Sequence, residues 1–249
     1  MQETKLDPAW KWLFYAAGVA LLLMVIIFRR NFGVELMTFN GLGLFDVPKT
    51  TPIAAVDWFA LFKNKGLLGL MLFGLIDLVN YVLIGFVFLA LYGALKPVNK
   101  NAMILAVALG FLGIAVYIAS NQAFAMLTLS HRYAQAVTET QQASFLGAGE
   151  ALLAQFNPGT IEQGAGYYLS LLLVLMAGLI ASIVMLHSPA FNKATAYAGI
   201  LANGIGLLYF PVLIFAQPLV WLPHSLSAIF RIVWYILVAI QFFRLGKQL

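Results

Sequence analysis

Residues 66–95 read GLLGLMLFGLIDLVNYVLIGFVFLALYGAL, an apolar run that contains a single charged residue, Asp77. About 20 apolar residues in a helix cross the hydrocarbon core of a bilayer, so this run is long enough to span a membrane. A carboxylate inside a span costs about 2.5–3.5 kcal/mol unless it is paired, protonated or hydrated. The stretch therefore predicts a membrane helix whose Asp77 face turns toward other protein segments.

The composition of the whole chain agrees with this stretch. Apolar residues make up 63% of the 249 residues, charged residues only 9%, and the mean hydropathy is +0.93. Such values are typical of membrane proteins with several spans. The net charge of +5 lies in short loops and near the ends of the sequence, which favours contact with a lipid bilayer over nucleic acid as a partner.

Six segments have the length and apolar character of spans: 10–28, 66–95, 102–120, 166–186, 195–216 and 226–243. They predict an all-α membrane protein, a bundle of about six transmembrane helices that forms one integral membrane domain over residues 1–249. The first segment predicts a retained signal anchor, because its apolar stretch is long and Arg29 and Arg30 end it.

Basic residues in the short loops predict the orientation. Lys5 and Lys11 precede the first span, Lys96, Lys100 and Lys193 mark the second and fourth turns, and Arg244 and Lys247 follow the sixth span. With six spans these positions share one side, which predicts a cell-membrane protein with both termini in the cytoplasm. The first connection is an exception, since it would place Arg29, Arg30, Lys49, Lys63 and Lys65 outside.

Two connections are too long for simple turns. The first contains IAAVDWFALF (53–62), and the third contains QAFAMLTLSHRYAQAV (122–137) and ASFLGAGEALLAQF (143–156). All three stretches have a helical, amphipathic pattern, and Asn157 with Pro158 and Gly159 ends the last one. The sequence therefore predicts short amphipathic helices on the extracytoplasmic side, in the first and third connections.

Polar residues inside the spans are few, and they define the candidate site. Asp77, Asn80 and Tyr81 share one helical face. Asp77 and Arg231 are the full charges well inside spans, and the topology gives them similar depth, which predicts an ion pair. Two interpretations stay open: a structural clip that fixes the register of two helices, or an outer ligand-binding pocket. The predicted pocket is lined by Asp77, Asn80, Tyr81, Asn121, His224 and Arg231.

The sequence predicts no metal site and no cofactor. There is no cysteine, and His131, His187 and His224 fall near different helix ends, so they cannot converge on one ion. Each histidine is next to a serine, but adjacent residues on a helix point apart and form no nucleophile–base pair. No catalytic residue is therefore assigned; the sequence favours a non-enzymatic protein but leaves the question open.

Small residues at four-residue spacing mark a packing face in the fifth segment, at Ala198, Ala202 and Gly206. Side chains this small let helix backbones approach closely. Asn203 stands beside them and is predicted to bridge to a neighbouring helix.

Several stretches, among them residues 56–95, SNQAFAMLTLSHRYAQA (120–136) and HSLSAIFRIVWYILVAIQFFRLGK (224–247), resemble an uncharacterised bacterial family of multi-pass membrane proteins. That family carries only a domain-of-unknown-function label. The resemblance covers most of the chain from about Ala55 onward and implies a six-helix integral membrane protein. It transfers no catalytic residue.

Three functions stay open from the sequence. The first, which we favour, is binding of a lipid or small amphiphile in the outer polar pocket. The alternative is a small-solute or proton-coupled transporter that uses Asp77, although no internal repeat is visible. An intramembrane lipid-modifying enzyme would need a nucleophile, base or metal cluster that these residues do not supply. The sequence leaves the oligomeric state open.

Overall fold

A computed structural model describes residues 8–28, 52–158 and 164–249, and within these ranges the chain is helical with no strand. Six helical stretches are long and apolar enough to cross a membrane: Pro8–Ile26, Gly66–Leu95, Lys100–Gln135, Ala165–Met185, Lys193–Phe215 and Gln217–Gln248. The predicted all-α bundle of about six spans is confirmed. The chain is therefore a multi-pass integral membrane protein.

Eleven α-helices are numbered here in chain order over the described residues. They are α1 (Lys11–Phe28), α2 (Ala55–Asn64), α3 (Gly66–Leu70), α4 (Ile76–Leu95), α5 (Lys100–Ser120), α6 (Ala123–Gln135), α7 (Glu139–Gln155), α8 (Ala165–Met185), α9 (Lys193–Leu207), α10 (Tyr209–Phe215) and α11 (Trp221–Gln248). A widened turn, Met71–Leu75, connects α3 to α4, and single 3₁₀ turns lie at Pro8–Trp10 and Gln217–Leu219.

The observed helices differ from the predicted spans mainly where the backbone is interrupted. The second predicted span is broken at Met71–Leu75, and the fifth is divided at Leu208 into α9 and α10. Pro211 explains the second break, because a proline has no N–H to donate to the carbonyl of Leu207 four residues earlier. The sixth span begins earlier and ends later than predicted, so His224 lies in the first turn of α11.

The helices predicted in the first and third connections are present as α2, α6 and α7, although α7 buries only Gly149 and Leu153 and has no continuous apolar face. On α2 the buried residues recur at helical spacing, at Ala55, Trp58, Phe59, Leu61 and Phe62. The described residues do not include Lys5, Arg29, Arg30 and Lys49, on which part of the topology argument depends, or Gly159, which was predicted to help end the last of these helices. The side of the membrane on which these helices lie stays a prediction.

The chain divides into two compact units. Unit 1 comprises the described residues of Met1–Asn31, Asn80–Ala115 and Ser170–Leu249, and in it α11 packs along both α1 and α9. Glycines allow the close approach: a Cβ on Gly18 would lie 2.9 Å from the Phe243 ring, and one on Gly206 would lie 2.8 Å from Leu175. The predicted packing face of α9 is buried at Ala198, Ala202 and Gly206.

Unit 2 comprises the described residues of Phe32–Val79 and Val116–Leu169. Here α2 packs on α3, α6 and α7 around a cluster of aromatic rings. Trp58 is fully buried and meets Phe73 edge-on at 4.8 Å between ring centroids, and Phe73 in turn lies 5.7 Å from Phe156. Edge-on ring pairs of this kind are worth about 0.5–1.5 kcal/mol beyond the apolar area they bury.

Candidate functional site

Arg231 lies on the buried face of α11. The buried residues of this helix recur every three or four positions, at Pro223, Ser227, Ala228, Trp234, Tyr235, Val238, Ala239, Phe242, Leu245 and Gly246. Arg231 occupies the step between Ala228 and Trp234 in this stripe and is itself half-buried. The opposite face exposes Ile229, Val233 and Ile236, which is typical of contact with lipid. The guanidinium therefore belongs to a protein-facing side chain.

The depth of Arg231 follows from the geometry of α11. Arg231 comes ten residues after Trp221, the first residue of the helix. At about 1.5 Å per residue it lies roughly 15 Å along the helix axis. A charged side chain that far into a spanning helix is rare in membrane proteins and marks a functional site or a paired charge.

Ser227 orients the Arg231 guanidinium. The Nη2 of Arg231 donates to the Ser227 hydroxyl at 2.9 Å, one helical turn earlier. That hydroxyl donates in turn to the carbonyl oxygen of Ala202 on α9 at 2.7 Å. A Cβ added to Gly206 would come within 3.0 Å of the same hydroxyl, so the glycine leaves room for it. Ser227 on α11 and Ala202 on α9 therefore fix the position of the Arg231 guanidinium.

His224 stands on the same side of α11, seven residues before Arg231. It is half-buried, and its ring centroid lies 6.0 Å from that of the buried Tyr209 at the start of α10. Residues seven apart on a helix lie roughly two turns apart on one face. His224, Ser227 and Arg231 thus form a polar line along α11, which we call the α11 polar line.

A second polar seam runs between α8, α9 and α11 in unit 1. The Ser182 hydroxyl donates to the Gly178 carbonyl at 2.7 Å, and the Asn203 amide donates to the Gly199 carbonyl at 2.8 Å. The Asn203 side chain also fills the space beside Gly178. Asn203 thus contacts α8 as predicted, but its hydrogen bond goes to its own helix because the carbonyl four residues back is within reach.

Three predicted site residues lie together near the start of α4. Asp77 and Asn80 are half-buried, and Tyr81 is 8% exposed. The Oδ1 of Asn80 is buried without a hydrogen-bond partner among the described residues. A buried acceptor of this kind is normally satisfied by water or a ligand. Asp77 belongs to unit 2 and Arg231 to unit 1, and the ion pair between them stays a prediction, as does the six-residue pocket.

Asn121 holds two helix breaks of unit 2 together. Its Nδ2 donates to the carbonyl of Gly74 at 3.3 Å and to the Tyr117 hydroxyl at 3.5 Å, and its Oδ1 accepts from the backbone N–H of Ala123 at 3.0 Å. Gly74 has φ 159° and ψ 1°, outside the helical region, and a Cβ there would lie 2.6 Å from Asn121 Nδ2. The turn at Gly74 therefore requires glycine.

Other side chains do not extend the site. His131 and His187 are exposed, and within residues 8–28, 52–158 and 164–249 no three His, Asp or Glu side chains are placed to share a metal ion. Sequence reasoning missed Ser227 and the turn at Gly74. The spacing of Ser227 and Arg231, four residues apart, is a signal that could have identified the first. The second depends on Asn121, which is 47 residues away.

Comparisons with protein-family models, with curated proteins and with solved structures give no match. The family resemblance drawn from the sequence therefore stays a prediction. Any assignment of function depends on the side chains described above.

Proposed function

We propose that this membrane protein binds a lipid or small amphiphile whose anionic headgroup contacts Arg231. The observation that carries the proposal is the position of Arg231 on the buried stripe of α11, oriented by the Ser227 hydroxyl at 2.9 Å. A guanidinium has five N–H donors in a planar fork, so it can bond a phosphate or carboxylate while it keeps a hydroxyl partner. The acyl chain of such a ligand would lie among apolar side chains.

One further feature supports a polar headgroup at this position. His224 adds a second donor or acceptor to the α11 polar line, toward the start of the helix. Membrane-embedded polar groups of this kind are the default candidates for binding sites.

Lipid analysis of the purified protein tests the proposal. The full chain is purified in mild detergent, its native mass is measured, and bound lipids are extracted and identified. We expect one tightly held amphiphile on the parent protein and its loss from Arg231→Gln. A parent protein that is free of bound amphiphile would contradict the proposal.

We propose further that the protein lies in the cell membrane with both termini in the cytoplasm. Ring contacts within unit 1 support it, since Trp10 before α1 lies 6.2 Å from Tyr92 near the end of α4. The ring of Tyr15 lies against Gly246 near the end of α11. These contacts bring the described chain ends to one end of unit 1, and basic residues favour the cytoplasm. Reporter proteins fused at Leu249 that are active only on one side would test this orientation.

Transport is a second candidate, because one specific observation favours it. The turn at Gly74 and the break after Ser120 are joined by Asn121, and Asp77 follows Gly74 by three residues. Interrupted helices near a carboxylate are typical of ion and substrate sites in transporters. Proton uptake into proteoliposomes that is abolished by Asp77→Asn, but not by the exposed control Asp57→Asn, would support transport over simple binding.

A further inference from the structure

Basic side chains gather at one end of unit 1, which we call the basic end. It comprises Lys11, Lys96, Lys100, Lys193, Arg244 and Lys247. The described part of unit 1 contains no Asp or Glu, so none of its described side chains is a carboxylate that could neutralise these charges. The basic end is thus a concentrated region of positive potential at the end of several membrane-spanning helices.

Aromatic contacts show that these residues share one end of unit 1. Trp10 and Tyr92 join the start of α1 to the end of α4, and α5 begins at Lys100, four residues after Lys96. The Phe242 ring of α11 lies 5.7 Å from Phe14 and 6.2 Å from Phe191, two residues before the start of α9. The starts of α1, α5 and α9 and the ends of α4 and α11 therefore meet at this end.

Lys96 is held at the level where aromatic belts lie. Its Nζ stands 4.6 Å from the centroid of the Trp10 ring and 5.7 Å from that of Tyr92. Gly93 leaves the space that the Trp10 ring fills. Trp and Tyr concentrate at the membrane–water interface, and a cation held over them is kept at headgroup depth. The two rings therefore fix the Lys96 ammonium, and we expect it at the depth of the lipid phosphates.

We infer that the basic end is a binding surface for anionic phospholipids of the surrounding leaflet, with Lys96 and Lys100 at its centre. Charge complementarity identifies the partner: each Lys or Arg near a membrane surface attracts anionic headgroups, and neighbouring apolar helix faces accommodate the acyl chains. Lys100, Lys193, Arg244 and Lys247 are exposed and so are accessible to headgroups. This surface is separate from the Arg231 site and does not depend on it.

Lipid selection in nanodiscs tests the inference. The full chain is reconstituted in an equal mixture of phosphatidylcholine and phosphatidylglycerol, extracted mildly, and the ratio of the two lipids that stay bound is measured. We expect phosphatidylglycerol to be enriched on the parent protein and the enrichment to fall about fivefold for each charge removed in Lys96→Gln/Lys100→Gln. Substitution of the exposed pair, Arg244→Gln/Lys247→Gln, should also lower the phosphatidylglycerol enrichment. High salt should weaken the enrichment on the parent protein.

The matched control is Lys63→Gln/Lys65→Gln, which removes two exposed lysines of unit 2. We expect this control to keep the enrichment of the parent. Equal loss in the control, or a parent that retains both lipids equally, would overturn the inference. Arg231→Gln should keep the enrichment even when it loses its tightly bound amphiphile, so the failure of one proposal is distinguishable from the failure of the other.

Discussion

Arg231 donates to the Ser227 hydroxyl at 2.9 Å, and through Ser227 it is connected to the backbone of α9 at Ala202. The bond matters because it fixes a mobile, charged side chain in one direction. A long arginine side chain loses up to about 2 kcal/mol of conformational freedom when it is fixed. Because Ser227 already fixes the guanidinium in the free protein, the Arg231 side chain loses less conformational entropy when a ligand binds.

Ser227→Ala tests this relay. The substitution removes the acceptor of Arg231 and the donor to Ala202, which should lower the free energy of unfolding by about 1–2 kcal/mol. For a chain of this size that corresponds to a drop in Tm of roughly 2–4 °C for each kcal/mol. The measurement is thermal unfolding in detergent. Ser225→Ala, two residues earlier on α11, is the control and should change the Tm little. Equal effects from both serines would show that the relay adds no stability.

Gly74→Ala tests the turn between α3 and α4. The new methyl group would meet Asn121 Nδ2 at 2.6 Å and would force alanine into a backbone conformation at φ 159°. Backbone strain of this kind costs about 1–3 kcal/mol, and we expect the Tm to fall accordingly. Gly204→Ala is the matched control, because no heavy atom lies within 4 Å of its added Cβ. That control should be neutral or stabilising by up to about 1 kcal/mol.

The double variant Gly74→Ala/Asn121→Ala separates the clash from the strain. Removing the Asn121 amide frees space for the methyl group, so the double variant should lose less stability than the two single variants added together. Strictly additive losses would show that Asn121 does not limit the space at Gly74. Thermal unfolding of the three variants gives the comparison.

Much of the fold is predictable from sequence because apolar length is a local property. Hydropathy locates all six spans, and apolar spacing finds α2, α6 and α7. The helix breaks are less predictable from local sequence. Pro211 predicts the end of α9, whereas the turn at Gly74 depends on the side-chain amide of Asn121, 47 residues away. Arg231 was correctly singled out as a charge within a span, but Ser227 was missed because a serine in an apolar helix is common.

Glu150 shows the same limit for charged residues. In the sequence it is one residue of ASFLGAGEALLAQF (143–156), which is predicted only to form a short helix of the third connection. In the structure its Oε1 accepts from the backbone N–H of Ala55 at 2.8 Å and so caps α2 from 95 residues away. Tertiary capping of this kind leaves no local sequence pattern.

Glu150→Ala should loosen the first turn of α2. A hydrogen bond to a charged group is worth about 1.5–3 kcal/mol, so amide protons near Ala55 should exchange with solvent at least roughly tenfold faster. Hydrogen–deuterium exchange with mass spectrometry reads this effect peptide by peptide. Glu139→Ala, an exposed acid at the start of α7, is the control and should leave α2 unchanged. Unchanged exchange in α2 of Glu150→Ala would contradict the capping role.

The central claim is that Arg231 holds the headgroup of a bound amphiphile. Its most direct test is native mass spectrometry of the full chain, with Arg231→Gln and the exposed arginine control Arg132→Gln measured side by side and Tm recorded for each. The account predicts an added lipid mass on the parent and on Arg132→Gln, and its loss from a folded Arg231→Gln. The same bound mass on all three proteins would contradict the claim.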